Sequence, residues 1–411
     1  MTFKSILKKI PILNRFFKKT YIKKLGGDYE KLSQNAVTDQ KLIVFESYQG
    51  RNYSCSPKAI YEYMVNSPEF ADYKFVWVFR DTGAHGRFPD NTSLVKYDSE
   101  ESFEAYANAG MWIVNSRLRP FIVPREDQKY IQCWHGTPLK KIGCDVNAGN
   151  ATSTLEEIKA EYTRDGQMIS ALISPCDYTT EKLATCFALS DGTERIIQQG
   201  YPRNDALFGF SEEKVKDIRK KLDIPEDKKV ILYCPTFRDS SYDSSGYKLQ
   251  GIFDIKSFME KYSKFAVLLV RAHYFIEHDD LSEFYGNVKD VSNYDDINDL
   301  YIISDMLITD YSSVFFDYAN LNRPMVFYHS DAKEYEKDMR GFYMGTAMLP
   351  GFIVTEQAAL EKTVGNILVD MKQGGDGLLR YKTALPAFNK RFNPMEDGKS
   401  AERTVRAILS L

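Results

Sequence analysis

From residue 41 the chain alternates short apolar runs, rich in β-branched and aromatic residues, with polar turns and segments of helical period. The first set of runs is Leu42-Ile-Val-Phe45, Phe75-Val-Trp-Val-Phe79, Met111-Trp-Ile-Val114, Tyr130-Ile-Gln-Cys133, Ala171-Leu-Ile-Ser174 and Ile196-Ile-Gln198. Helices fit between them at Pro57 to Val65, Ser99 to Ala109 and Glu156 to Tyr162. A break at Gly200-Tyr-Pro-Arg-Asn-Asp205 and a charged helix from Ser211 to Leu222 lead to a second set: Val230-Ile-Leu-Tyr233, Ala266-Val-Leu-Leu-Val270, Met306-Leu-Ile308 and Met325-Val-Phe-Tyr328. Apolar runs alternating with helices mean parallel strands covered on both faces. The expected fold is therefore α/β, with two successive doubly wound, Rossmann-like domains facing a central cleft. The expected divisions are residues 1–30, a basic segment; 31–205, the first domain; 206–390, the second; and 391–411, a final helix that returns toward the first domain.

The N-terminal segment has a different pattern. Phe3, Ile6, Leu7, Ile10, Leu13, Phe17 and Tyr21 recur at three and four residues, with lysines between them, which predicts a basic amphipathic helix bent at Pro11. Residues 1–27 carry eight basic side chains and no acid, which leaves −11 for the rest of a chain of net charge −3. That balance excludes a nucleic-acid-binding body but suits an anionic membrane surface met through residues 1–25. The other reading is a helix docked on the body with a solvated basic face. The apolar runs are too short to span a bilayer.

Composition adds limits. Six cysteines stand without a C-x-x-C pair and there are five histidines, so no metal site or disulfide framework is expected, and buried reduced thiols suit a cytoplasmic protein. The acid pairs Asp279-Asp280 and Asp295-Asp296 follow no apolar strand and read as turn or cap residues. Neither the dinucleotide nor the P-loop glycine fingerprint is present.

Chemistry concentrates where strands end. In Asp305 to Asp317 a strand over Met306 to Ile308 gives way to Thr309, Asp310, Tyr311, Ser312 and Ser313, and then to helical spacing. Hydroxyls and N–H groups at the carboxyl end of a parallel strand and the start of a helix suit an anion; an ordinary serine cap on a core helix is the alternative. Tyr130 to Cys133 is followed by Trp134 and His135, then Gly136 for a tight turn, Thr137-Pro138 as a predicted helix start, and Lys140. Histidine as a residue type titrates near neutrality, and His135 in this setting suits a general base. Arg271 and His273 close the run Ala266 to Val270, where a cationic pair would stabilise a phosphoryl group in transfer, or else form a salt bridge and a buried imidazole. Arg238, after Cys234, suits a bidentate phosphate contact or a surface ion pair. His85, His278 and His329 have no comparable setting.

His135-Gly-Thr-Pro-Leu-Lys, Pro235-Thr-Phe-Arg-Asp, Arg271-Ala-His-Tyr, Asp299 to Val314 and Arg340-Gly-Phe-Tyr343, in this order, resemble the CDP-glycerol glycerophosphotransferase family of teichoic-acid primases, polymerases and capsule enzymes. The resemblance runs from about residue 41 to the C-terminus. It implies a GT-B-like fold, with His135 matching the family's base and His273 a second essential histidine. It also implies that Thr309, Asp310, Ser312, Ser313, Arg238 and Arg271 lie at the donor phosphates. By the same resemblance Gly136, Thr137 and Lys140 form the acceptor loop, and Val291, Ser292 and Asn293 sit near the cytidine. The implied reaction is metal- and cofactor-free transfer of a polyol phosphate from CDP-glycerol or CDP-ribitol to a lipid-linked or growing polymer, at the cytoplasmic face of the cell membrane, peripherally. Phe237, Met344-Gly345-Thr346 and Phe352 depart from the family pattern and leave the polyol open. A long N-terminal glycosyltransferase-like region is not seen, which leans toward a compact primase-like or capsule-type transferase. A nucleotide-sugar glycosyltransferase or epimerase of the same fold, and a non-catalytic membrane-peripheral nucleotide-binding protein, are the competing readings.

Overall fold

The computed structural model describes the chain except for residues 1–10, 150–152, 237–241, 244–245, 248–252, 273–285, 333–340 and 375–378. Its strands build two parallel sheets. The first contains β1 (Asp39–Glu46), β2 (Lys74–Phe79), β3 (Thr92–Lys96), β4 (Ala109–Val114), β5 (Lys129–Gln132), β6 (Ala171–Ser174) and β7 (Ile196–Gln198), in the order β3-β2-β1-β4-β5-β6-β7. The second contains β8 (Lys229–Cys234), β11 (Ala266–Val270), β12 (Val288–Asp290), β13 (Met306–Thr309), β14 (Met325–Tyr328) and β15 (Phe352–Val354), in the order β12-β11-β8-β13-β14-β15; a short hairpin, β9 (Tyr242–Asp243) and β10 (Gly246–Tyr247), stands outside it. Contacts divide the chain into two compact units: Met1–Trp134 with Met168–Leu172 and Leu411, and His135–Gln167 with Ile173–Ser410.

Every apolar run read from the sequence lies on a strand. Within the two parallel sheets, the strands the pattern did not announce are β3, β12 and β15, each at the edge of its sheet and each only partly buried. An edge strand has water along one side, so it carries no continuous apolar run. The central strands are covered on both faces, and all six residues of β4 are buried. Aromatic rings fill the first unit: Phe45 stacks on Trp77 at 5.5 Å and Trp77 on Phe79 at 5.3 Å, with Tyr61 edge-on to Phe45 at 5.4 Å. The high aromatic content of the chain is thus core material.

The described N-terminal helix spans Pro11–Asn35. The bend expected at Pro11 involves residues 1–10, which lie outside the described residues. The apolar spacing of four drifts around the helix, so its faces diverge. Leu25 and Tyr29 are buried in the first unit, Tyr29 against Phe103 and Phe121 with centroids at 6.0 and 6.1 Å. Tyr21, one turn earlier, is 52% exposed. The C-terminal half of this helix is therefore docked on the body. Phe3, Ile6, Leu7 and Ile10 lie outside the described residues. Among the described residues no helix is long and apolar enough to cross a membrane.

Candidate active site

Strand order in the second sheet reverses at β8: the chain moves to β11 and β12 on one side, then to β13, β14 and β15 on the other. Ligands of open parallel sheets bind outside the carboxyl ends of strands at such a reversal. Here the ends in question are Cys234-Pro235-Thr236 after β8 and Thr309 to Ser313 after β13.

These two ends are tied together. The Asp310 carboxylate accepts the Thr236 N–H at 2.8 Å, the Thr236 hydroxyl at 2.6 Å and the Tyr311 N–H at 2.6 Å. Thr309 is fully buried and donates its hydroxyl to the Cys234 carbonyl at 2.7 Å. Both residues therefore shape the turn from within. Ser312 and Ser313 are the half-exposed members. Ser313 occupies the cap position of the helix Val314–Tyr318, yet its side chain makes no cap hydrogen bond. Its hydroxyl is therefore not engaged in capping, although Ser313 stands at the cap position of a core helix. The helical spacing read after the turn is a helix of five residues followed by a 3-10 turn over Ala319–Leu321. Hydroxyls and N–H groups, more than a macrodipole, are what this turn offers.

His135 follows a strained step. Trp134 is buried with φ +50°, a left-handed backbone that disfavours a bulky side chain, and its N–H is held by Gln132 Oε1 at 2.9 Å. His135 is exposed beyond it. Gly136 lies directly against the serine turn: a Cβ there would stand 3.0 Å from Ser313 Oγ. The structure thus brings the His135 loop and the Ser312-Ser313 turn together within the second unit.

The predicted helix start at Thr137-Pro138 is not formed. Thr137 is buried beside the buried Tyr201, and Lys140 bridges antiparallel to Phe342. Pairing with Gly341 to Tyr343 satisfies the backbone that a helix would have satisfied.

Arg271 is tied to the segment that follows β12. Its Nη1 donates to the Val291 carbonyl at 3.0 Å and the Tyr294 carbonyl at 2.7 Å, and the Ala272 N–H meets Ser292 Oγ at 3.1 Å. Arg271 therefore organises the segment expected near the cytidine, in which Val291 is buried, Ser292 half-buried and Asn293 exposed. Burial pushes the Cys234 thiol up to about 12, against the pull of Arg271, so it is inert at neutral pH. Arg238 and His273 lie outside the described residues.

Two groups at the site were passed over in the sequence. Thr236 was hidden because its partner Asp310 is 74 positions away. His329, set aside earlier, is buried with its Nε2 3.2 Å from the Asp310 carbonyl and its ring stacked on Tyr311 at 4.4 Å. A signal for it existed: like His135, it directly follows an apolar run.

The CDP-glycerol:poly(glycerophosphate) glycerophosphotransferase family model matches residues 29–410. A teichoic acid glycerol-phosphate transferase of Staphylococcus aureus is 37% identical over 380 residues, covering 90% of this chain and 93% of its own. A teichoic acid poly(glycerol phosphate) polymerase of Staphylococcus epidermidis is 39% identical over 368 residues, covering 88% of this chain but 49% of its own, so the chain spans about half of that relative's length. The solved structure of the wall teichoic acid polymerase TagF superposes with a TM-score of 0.84 at 36% identity, covering 96% of each chain. Two Rossmann-like parallel sheets of GT-B-like class, the ordered motifs and these likenesses agree, and the chain belongs to the CDP-glycerol glycerophosphotransferase family.

Proposed function

We propose that this chain transfers a polyol phosphate, glycerol phosphate in the first instance, from its CDP-activated form to a hydroxyl of a lipid-linked or growing teichoic-acid-type polymer. The observation that carries the reading is Gly136 packed against Ser313: it sets an exposed histidine one residue from a hydroxyl turn at the strand-order reversal. His135 takes the proton of the attacking hydroxyl; the new O–P bond forms as the bond to the CMP oxygen breaks, and CMP leaves with the electron pair. Ser312 and Ser313 donate to the phosphoryl oxygens as charge builds. Thr309 and Asp310 act through the shape of the turn, and Arg271 through the nucleotide-side segment. His273 and Arg238 take their place in this scheme from the family resemblance. The name of the S. aureus relative supports glycerol phosphate as the transferred group. Family membership favours transfer from a CDP-linked donor over a sugar-nucleotide reaction or a non-catalytic role.

The basic residues before position 25 hold the enzyme at an anionic membrane on the cytoplasmic side, where the donor is made and the lipid-linked acceptor is embedded. That raises the acceptor's effective concentration. Incubating the purified protein with CDP-glycerol, with CDP-ribitol and with a short lipid acceptor, and weighing the products, tests the reading. CMP and an extended acceptor are expected from CDP-glycerol. If neither donor yields CMP, the reading is wrong, and if His135→Ala keeps the wild-type rate, His135 is not the base.

A further inference from the structure

The loop carrying His135 is fastened by a third segment. Lys141 donates its N–H to the Gly341 carbonyl at 2.9 Å and Tyr343 donates its own to the Leu139 carbonyl at 2.9 Å, so 139–141 and 341–343 form a short antiparallel ladder around the Lys140–Phe342 bridge. Gly341 opens the strap at φ +86°, a backbone that only glycine adopts readily. From the middle of the ladder the Phe342 ring reaches Tyr311, with centroids at 5.9 Å. Tyr311 is the ring that stacks on His329, and His329 holds the Asp310 carbonyl. At the far end the Tyr343 hydroxyl donates to Asp145, and the Tyr178 hydroxyl secures the Pro138 carbonyl at 2.8 Å.

One strap thus grips the backbone of the histidine loop with its main chain and the serine turn with its side chain. None of its atoms enters the transfer step. We propose that Phe342, through Tyr311 and His329, is a positioning residue that sets His135 against the Ser312-Ser313 turn, so that the base meets the attacking hydroxyl where the donor phosphorus is held. This rests on the transfer reading above. Misplacing reacting groups by about 1 Å can cost on the order of 100-fold in rate, so a ring that fixes this spacing acts on kcat more than on donor binding.

The test compares Phe342→Ala and Phe342→Tyr with the wild type. Alanine keeps the backbone ladder and removes the ring; tyrosine restores it. With CDP-glycerol and a lipid acceptor, Phe342→Ala is expected to lower kcat by about tenfold or more while the donor KM stays within about twofold, and Phe342→Tyr is expected to recover most of the loss. A loss confined to KM, or an equal loss in both variants, overturns the proposal. Histidine side-chain NMR gives a readout that needs no turnover: with five histidines in the chain, His135→Gln assigns the His135 signal. In Phe342→Ala the His135 and His329 signals should move while that of His85, in the other unit, stays. An unmoved His135 signal sinks the strap even if CMP is released. A wild type that releases no CMP while His135 still moves sinks the transfer reading and leaves the strap standing.

Discussion

A carboxylate within a turn proposed to meet phosphate looks misplaced until its partners are traced. Asp310 gives its Oδ1 to two backbone N–H groups and a hydroxyl, so that oxygen is engaged by the protein itself. Asp310→Asn keeps an acceptor oxygen and should melt within a few degrees of the wild type with most activity retained. Asp310→Ala leaves buried donors unpaired, costing about 1–3 kcal/mol, and should lose activity with stability; thermal melts and CMP release compare the two. Gly136→Ala would crowd Ser313 Oγ at 3.0 Å, so it should slow transfer several-fold with little change in melting temperature. Glu46, buried at the end of β1 where the Tyr106 hydroxyl donates to it at 2.8 Å, has its carboxyl pushed up to about 7 by burial. The folded chain keeps that proton where the unfolded chain loses it near 4.5. This contribution is therefore present below pH 4.5 and lost as pH rises through 7, about 3 kcal/mol in all. Between pH 5 and pH 8 the wild type should lose more melting temperature than Glu46→Gln does.

Among elements, the N-terminal helix divides its labour along its length. Tyr29→Ala removes a ring lodged between Phe103 and Phe121, worth about 3 kcal/mol by analogy with other buried aromatics. Limited proteolysis should then cut near residues 20–28 sooner, while the melting of the strands persists. The sequence pattern announced the central strands because burial on both faces demands unbroken apolar runs, as in Met111 to Val114. It did not announce Thr92–Lys96, whose edge position lets polar residues in. It singled out the His135 and Ser312-Ser313 segments, which the fold sets side by side, because glycine, threonine, serine and histidine after apolar runs are local signals. It misjudged Thr137-Pro138 because the competing partner, Gly341 to Tyr343, is about 200 residues away and no local propensity encodes it. Arg271 shows the same limit: which carbonyls a guanidinium meets depends on a turn 20 residues further on.

At the scale of the whole molecule, the charge asymmetry suggests a membrane experiment that the packing refines. Removing residues 1–20 leaves Leu25 and Tyr29 in place, so loss of flotation on anionic vesicles would report lipid binding and not damage to the body. Binding of the full chain should also weaken as salt shortens the Debye length from about 10 Å at 0.1 M. The second unit has a further property. Arg203, buried, makes a two-point contact with Asp317 at 2.8 and 3.1 Å; Asn204 joins at 3.1 Å, and Asp205 receives the Ser400 and Ala401 N–H groups that open the last helix, Ser400–Leu409. Cutting away one side of such a buried pair costs about 3–5 kcal/mol, so a fragment beginning at residue 206 should be recovered unfolded or aggregated. The same wiring governs gene chimeras. Because His135–Gln167 and the stretch around Arg203 belong with the second unit, a hybrid of two related chains spliced at a single point after residue 205 would set one parent's Asp317 and serine turn against the other parent's Arg203 and histidine loop. Hybrids that exchange 135–167 and 201–205 together with the C-terminal half are the ones expected to keep a working site.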